Sequence, residues 1–288
     1  MTLKVKEDLC LKCGAELSPA DRLCPTCKMD AGVPNVRECK LEKNVNALLK
    51  RYEKVKSDAD IKGLNNEFKT LELLIDNKSG VVISIPASFA RSLFENKNVL
   101  YKNYENLVGN DERKASSSVD DKERCAVGGL LFGSYAKHII YGVLSLSNEG
   151  LSTYGDLYCR LKTVTIDERT TFLEKNSYVF VRDYDLKPGN ALPDGYRSCW
   201  KERKFLVLAK ITDSLVQGQG EHEWQSLILK SDGVDRNNDD FIEAHIFDGF
   251  DRDAIESIIP IKNTAQSREV KMDLNIAMEA FNKGVWRK

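Results

Sequence analysis

At 288 residues the chain is long enough for one substantial core with a small module attached, or for two modest domains. Its 42% hydrophobic and 30% charged residues are the balance of a soluble globular protein, and a formal net charge of −1 excludes the global basic field of a protein that lives on nucleic acid, leaving room only for local basic patches. No run of 18 apolar residues is present and the opening Met1 to Asp8 carries no apolar core of signal-peptide length, so no membrane span is expected and the cytoplasm is the expected compartment.

Cys10, Cys13, Cys24 and Cys27 form a C-x2-C-x10-C-x2-C array. Each C-x-x-C turns tightly enough to aim two thiolates at one ion, and the spacer closes the pairs into a four-cysteine site. The expectation is a zinc ribbon over residues 1–36, with Gly14 relaxing the first knuckle and Pro25 stiffening the second. A closed thiolate shell leaves no position for substrate, so the zinc is expected to hold the fold, since such a small module has too little core to fold alone. Cys39, Cys125, Cys159 and Cys199 lie apart from the array and are expected as small buried hydrophobes.

A helical connector is expected over 37–78. Leu41, Val45, Leu48, Tyr52 and Val55 recur at helical spacing, and Ile61, Leu64, Phe68, Leu71 and Leu74 repeat the pattern, with Ser57 or Asp58 as the cap between two helices. Their apolar stripes are expected to pack within the chain.

The remaining 79–288 reads as a mixed α+β domain. Val81 to Ile85 is a β-branched run ended by Pro86, hence a buried strand, and a helix follows from Ala87 to about Asn96. Residues 109–121 read as an exposed loop and 119–137 as a helix bearing Arg124. Tyr141 to Leu146 and Tyr158 to Ile166 read as a hairpin enclosing Gly150-Leu151-Ser152-Thr153-Tyr154-Gly155, whose glycines, hydroxyls and aromatic ring suit a polar, flat ligand. Asp167 is expected to cap a helix to Lys175, with Arg169 and Thr171 structural. Tyr196 to Lys204 is the most basic and aromatic stretch and offers Trp200 to a nucleobase, or else forms a solvated strand edge. Phe205 to Ile211 reads as a strand. In Phe241 to Phe247, alternation sends Ile242, Ala244 and Ile246 one way and Glu243 and His245 the other. Ile255, Ile258 and Ile259 and a helix from about Leu274 to Gly284 pack back on the domain.

The order of these motifs carries a resemblance. Leu131-Phe132-Gly133-Ser134-Tyr135, Tyr141-Gly142-Val143-Leu144-Ser145-Leu146, Tyr154-Gly155, Arg169-Thr170-Thr171-Phe172 and Asp240 to Ile246 resemble a family of uncharacterised bacterial domains with LFGxxY, YGxLNL, R-x-TF and YIEAQIHG motifs. The match spans roughly residues 80 to 285. This chain has His245 and Phe247 where that family has Gln and His, and its first strand lacks the family's histidines. The arrangement is in turn similar to the ADP-ribosyltransferase superfamily.

That resemblance implies a split β-sheet holding NAD as the substrate. Tyr141, Gly142, Ser152, Thr153, Tyr154 and Gly155 would contact it, with Arg124 or Arg113 gripping the phosphates, because a guanidinium fork matches phosphate oxygens. Glu243, with His245 beside it, would stabilise the charge that develops as nicotinamide leaves. Glu223, in Glu221-His222-Glu223, is the competing acid. Two functions follow. One is ADP-ribosyl transfer to a protein or nucleic-acid acceptor, as in an intracellular toxin or phage-defence effector, with a regulatory protein as a possible further partner. The other is a non-enzymatic zinc-ribbon protein that binds nucleic acid or a protein through the ribbon and the Tyr196 to Lys204 patch.

Overall fold

A computed structural model describes residues 8–103, 118–234 and 239–261, with isolated positions at 106, 272, 275, 276 and 279. Arg113 and nearly all of the expected C-terminal helix lie outside the described residues. Among the described residues no helix is long and apolar enough to cross a membrane.

A mixed α+β body follows the cysteine-bearing segment. Besides a single α-helical turn at Thr163–Ile166, its helices and strands are α1 (Pro34–Cys39), α2 (Glu42–Ile61), α3 (Asn65–Lys78), β1 (Gly80–Ile85), α4 (Ala87–Glu95), α5 (Ser118–Phe132), β2 (Ile139–Ser145), β3 (Leu157–Leu161), β4 (Thr170–Leu173), α6 (Ser177–Asp183), β5 (Arg197–Cys199), α7 (Arg203–Ile211), α8 (Glu221–Ile228), β6 (Leu229–Lys230), β7 (Asp240–Phe241), β8 (Glu243–Phe247) and β9 (Ile255–Pro260). Seven strands form one antiparallel sheet in the order β5-β4-β8-β2-β1-β3-β9, while β6 and β7 pair separately.

This order corrects the expected hairpin. The strands β2 and β3 do not pair with each other, because β1 lies between them and bonds to both. The expected split into two sheets is not what the strands form, and they part only locally. All seven strands share one sheet, but β1 and β2 pair only through Gly80↔Ser145, Val81↔Leu144 and Val82↔Val143. Beyond those pairs β1 continues with β3 alone, and β2 continues with β8. Gly142 marks the parting. A Cβ there would lie 2.9 Å from Val81 Cγ1 and 3.1 Å from the Val82 carbonyl, so only a glycine lets the strands come this close before they diverge.

Alternation sends Val81, Ile83, Ile85, Ile140, Leu144, Ile242, Ala244 and Ile246 to one core, closed by helices α2, α3, α4, α7 and α8. Each large apolar side chain fully buried there, such as Phe172 or Leu71, contributes about 2 kcal/mol of transfer free energy. Tyr52 of α2 packs on Phe68 of α3 and Phe205 of α7, and its hydroxyl donates to Glu72 at 3.0 Å. The two connector helices are thus part of the main core. The α2 helix runs straight through Ser57 and Asp58, and the break falls instead at Gly63, whose φ of +72° ends the helix. The opposite sheet face packs Ile139, Leu173 and Phe247 on α1, α5 and α6. Helix α1 belongs to that layer and crosses the expected boundary at residue 36.

Two further expectations change sign. Phe205 to Ile211 lies in helix α7, with Leu206, Val207, Leu208 and Ile211 turned to the core. Residues after Asp167 make only a 3-10 turn before strand β4, whose β-branched Thr170 and Thr171 and aromatic Phe172 are buried.

Candidate functional site

The four array cysteines come together at the N-terminus, their ligand atoms all within 4.8 Å of one another. Cys10 Sγ lies 3.7 Å from Cys27 Sγ, and Cys13 Sγ lies 3.5 Å from Cys24 Sγ. Sulfurs at the corners of a tetrahedron with metal bonds of about 2.3 Å stand about 3.8 Å apart, so the donor set fits a four-thiolate ion. The two knuckles repeat one backbone pattern: Gly14 N–H donates to Cys10 O and Lys28 N–H to Cys24 O, both at 2.9 Å. Gly14 has φ +71°, and Lys28 takes the matching place at φ +59° although it carries a side chain. Backbone hydrogen bonds from Cys27 and Thr26 outweigh desolvation and hold the Cys24 thiol down to about 6. Against a backbone bond from Ala15, desolvation and the neighbouring sulfurs push Cys13 up to about 12. Of the other cysteines, Cys39, Cys159 and Cys199 are buried, but Cys125 is exposed on α5, contrary to expectation.

A second feature is a cavity of about 410 Å³ at the place where β1 and β2 part. Ile83 and Ser84 of β1 and Tyr141, Gly142 and Val143 of β2 line it, with Glu243 between them and α6, and Arg124 and Glu123 on the α5 side. The pairing register explains this placement. Glu243 stands opposite Val143 and Leu173, and His245 opposite Tyr141 and Thr171, so these side chains share one face of the sheet. Because α6 covers that face, Glu243 is only 7% exposed and His245 3%.

The carboxylate is held on one side. Its Oε2 accepts from the Ser177 backbone N–H at 2.8 Å, from the Ser177 hydroxyl, and from His245 Nε2 at 3.0 Å in the tautomer that protonates that nitrogen. Ser177 Oγ also lies 3.3 Å from His245 Nε2. Among the described residues Oε1 accepts no hydrogen bond, and it is the atom left for whatever occupies the cavity.

Arg124, Tyr141, Gly142, Tyr154 and Glu243 therefore meet at one cavity. The other candidates do not line it. His245 lies behind Glu243, edge-on to Phe132 and Tyr141. Thr153 donates to Asp239 at 3.1 Å, tying the loop down. Ser152 packs beside Gly233. Gly155 presses on the Ile85 backbone, where a Cβ would lie 2.8 Å from the Ile85 nitrogen. These three hold the loop in shape, and Leu151 and Tyr154 are what the loop presents to the cavity. Ser177 is the site residue that the sequence reading missed. Asn176 and Ser177 are both passed over in the sequence reading, and nothing local points to an acid 66 residues away.

The competing sites dissolve into structure. Glu223 Oε2 accepts from the Gly220 N–H at 3.1 Å, closing the start of α8. Trp200 is buried against Phe172 and Arg203. Arg203 itself donates to the carbonyls of Ile75, Asp76 and Trp200 and to Ser79 Oγ, while Arg197 pairs with Glu38 at 3.0 Å. The basic stretch is thus largely consumed inside the fold. Arg169 donates to the carbonyls of Thr165, Phe247 and Asp248, the structural role expected of it.

Compared with known proteins, the chain matches no family model, and no curated protein aligns with it.

Proposed function

We propose that the cavity is an NAD site and that the protein transfers ADP-ribose from NAD to an acceptor, on an ADP-ribosyltransferase-like frame. The observation that carries this reading is the Glu243 carboxylate, clamped through Oε2 by Ser177 and His245 and lining a cavity at the opening between β1 and β2.

In this reading Oε1 accepts a hydrogen bond from a hydroxyl of the nicotinamide ribose. The bond from ribose C1′ to the nicotinamide nitrogen breaks, its electron pair leaves with neutral nicotinamide, and positive charge builds on the ribose ring. A fixed carboxylate stabilises that charge at no reorganisation cost, because its donors already set its orientation. An acceptor nucleophile then bonds to C1′ and gives up its proton to solvent water. Arg124, on the α5 side of the cavity, supplies positive charge for the diphosphate. Tyr154 offers a ring face.

The four cysteines hold zinc in this account, and the ion fastens the ribbon while taking no part in the transfer. The ribbon selects a protein or nucleic-acid acceptor, or a regulatory partner, in the cytoplasm, as suits a toxin or defence effector. A second reading, a non-catalytic zinc-ribbon interaction protein, draws on Leu11 and Leu23, which stand 53% and 61% exposed on the ribbon.

The test is nicotinamide release from NAD by zinc-loaded protein. Release by wild type that Glu243→Gln lowers by about a hundredfold or more supports the transferase. Absence of both NAD binding and release transfers the weight to the second reading.

A further inference from the structure

We infer that Ser177 and His245 act as a pair of positioning residues for Glu243, fixing the plane of its carboxylate so that one oxygen alone faces the cavity. This deepens the reading of Glu243 as the group that touches ligand and rests on it.

The geometry is specific. Ser177 lies at the first turn of α6, held there by Asn176, whose side-chain oxygen accepts from the Tyr178 N–H at 2.8 Å and the Val179 N–H at 3.4 Å. It is 5% exposed and reaches Glu243 with both its backbone N–H and its hydroxyl. His245 approaches the same oxygen from its own strand, two residues on and therefore on the same sheet face. Its ring is wedged edge-on between Phe132 at 4.8 Å and Tyr141 at 5.4 Å between centroids, which denies it another orientation.

Three donors on one oxygen leave a carboxylate little freedom to rotate or to exchange its two oxygens. A group merely buried for stability would gain as much from donors spread over both. Concentrating them on Oε2 leaves Oε1 without a partner among the described residues, on a side chain that lines the cavity. That arrangement suits an oxygen reserved for a ligand hydroxyl. A carboxylate free to turn would offer the wrong oxygen, or the right one at the wrong angle, and a misplacement of about 1 Å can cost about a hundredfold in rate.

The test compares wild type, Ser177→Ala, Ser177→Thr, His245→Gln and Glu243→Gln, each checked for an unchanged melting temperature. Ser177→Cys replaces Ser177→Ala if the latter melts early. Nicotinamide release is expected to fall between about ten- and a hundredfold in kcat for Ser177→Ala, with KM for NAD within about twofold and recovery in Ser177→Thr, which keeps the hydroxyl. Wild-type kcat in both Ser177→Ala and His245→Gln, or a loss confined to KM, would overturn the assignment.

A second readout separates failure of this assignment from failure of the NAD reading. Crystal structures of wild type, Ser177→Ala and Ser177→Thr without NAD report where the Glu243 carboxylate points. Loss of the Ser177 hydroxyl is expected to turn the carboxylate from its wild-type plane or to split it between two orientations, and Ser177→Thr to restore it. An unmoved carboxylate in Ser177→Ala overturns the assignment whatever the protein does to NAD. A displaced carboxylate with no nicotinamide release by wild type sustains it and removes only the NAD reading.

Discussion

The Asn35 side-chain amide donates to the His245 carbonyl at 3.0 Å, joining residues 210 apart in sequence. The same nitrogen reaches the Arg169 carbonyl and Thr171 Oγ1, both at 3.2 Å. One buried amide of α1 thus stitches β4 to β8 two residues from Glu243. Asn35→Ala leaves those acceptors buried without their donor, and is expected to lower unfolding free energy by about 1 to 3 kcal/mol, measured by urea titration. Asn35→Asp should cost at least as much, because it replaces the donor with an acceptor.

Two residues further along α1, Arg37 turns the other way. It pairs with Asp8 and donates to the carbonyls of Ser18, Asp21 and Gly32, all in the cysteine module. With zinc at the four cysteines, as proposed, a strong chelator is expected to unfold residues 8–32 and, through α1, to loosen β4 and β8. Hydrogen exchange checks this: protection is lost throughout the ribbon and falls at Thr171 and His245, while β3 and β9 stay protected. Elemental analysis should find one zinc per chain, and Cys24→Ser should reduce it.

Arg203 caps the end of α3. Its Nη2 donates to Ile75 and Asp76 carbonyls at 3.0 and 2.9 Å, and its Nε to Ser79 at 2.8 Å. Arg203→Met is expected to destabilise by at least about 2 kcal/mol, since it strands several buried acceptors at once. Because the guanidinium never reaches the surface, an electrophoretic shift assay should find any nucleic-acid affinity of the folded variant unchanged.

Gly142→Ala tests the parting of β1 and β2. The added methyl would press on Val81 Cγ1 at 2.9 Å and Ile83 Cγ1 at 3.1 Å. Overpacking of this kind costs about 1 to 3 kcal/mol. Thermal melting should record it, and NAD binding by calorimetry should weaken as the two strands are forced apart.

How much of this was legible depended on how local the signal was. Cysteine spacing is a local code, so Cys10, Cys13, Cys24 and Cys27 could be grouped from sequence, and alternation placed Glu243 and His245 on one face of β8. Short apolar runs carry no such code. Phe205 to Ile211 fits a strand as readily as a buried helix, and the arginine at its head decided nothing until Ser79 and α3 stood beside it. The position of β1 between β2 and β3 is a long-range choice, invisible to a hairpin reading of residues 141–166. Ser177 was missed for the same reason. Its partner lies across the sheet, and a serine beside a capping asparagine looks like any other helix start.

The most direct test of the account is a crystal structure of Glu243→Gln soaked with NAD, the substitution slowing turnover while preserving shape. The account predicts intact NAD at the opening between β1 and β2, its nicotinamide ribose within hydrogen-bonding distance of residue 243 and its diphosphate toward Arg124. An empty cavity at saturating NAD, or NAD bound away from residue 243, would contradict it.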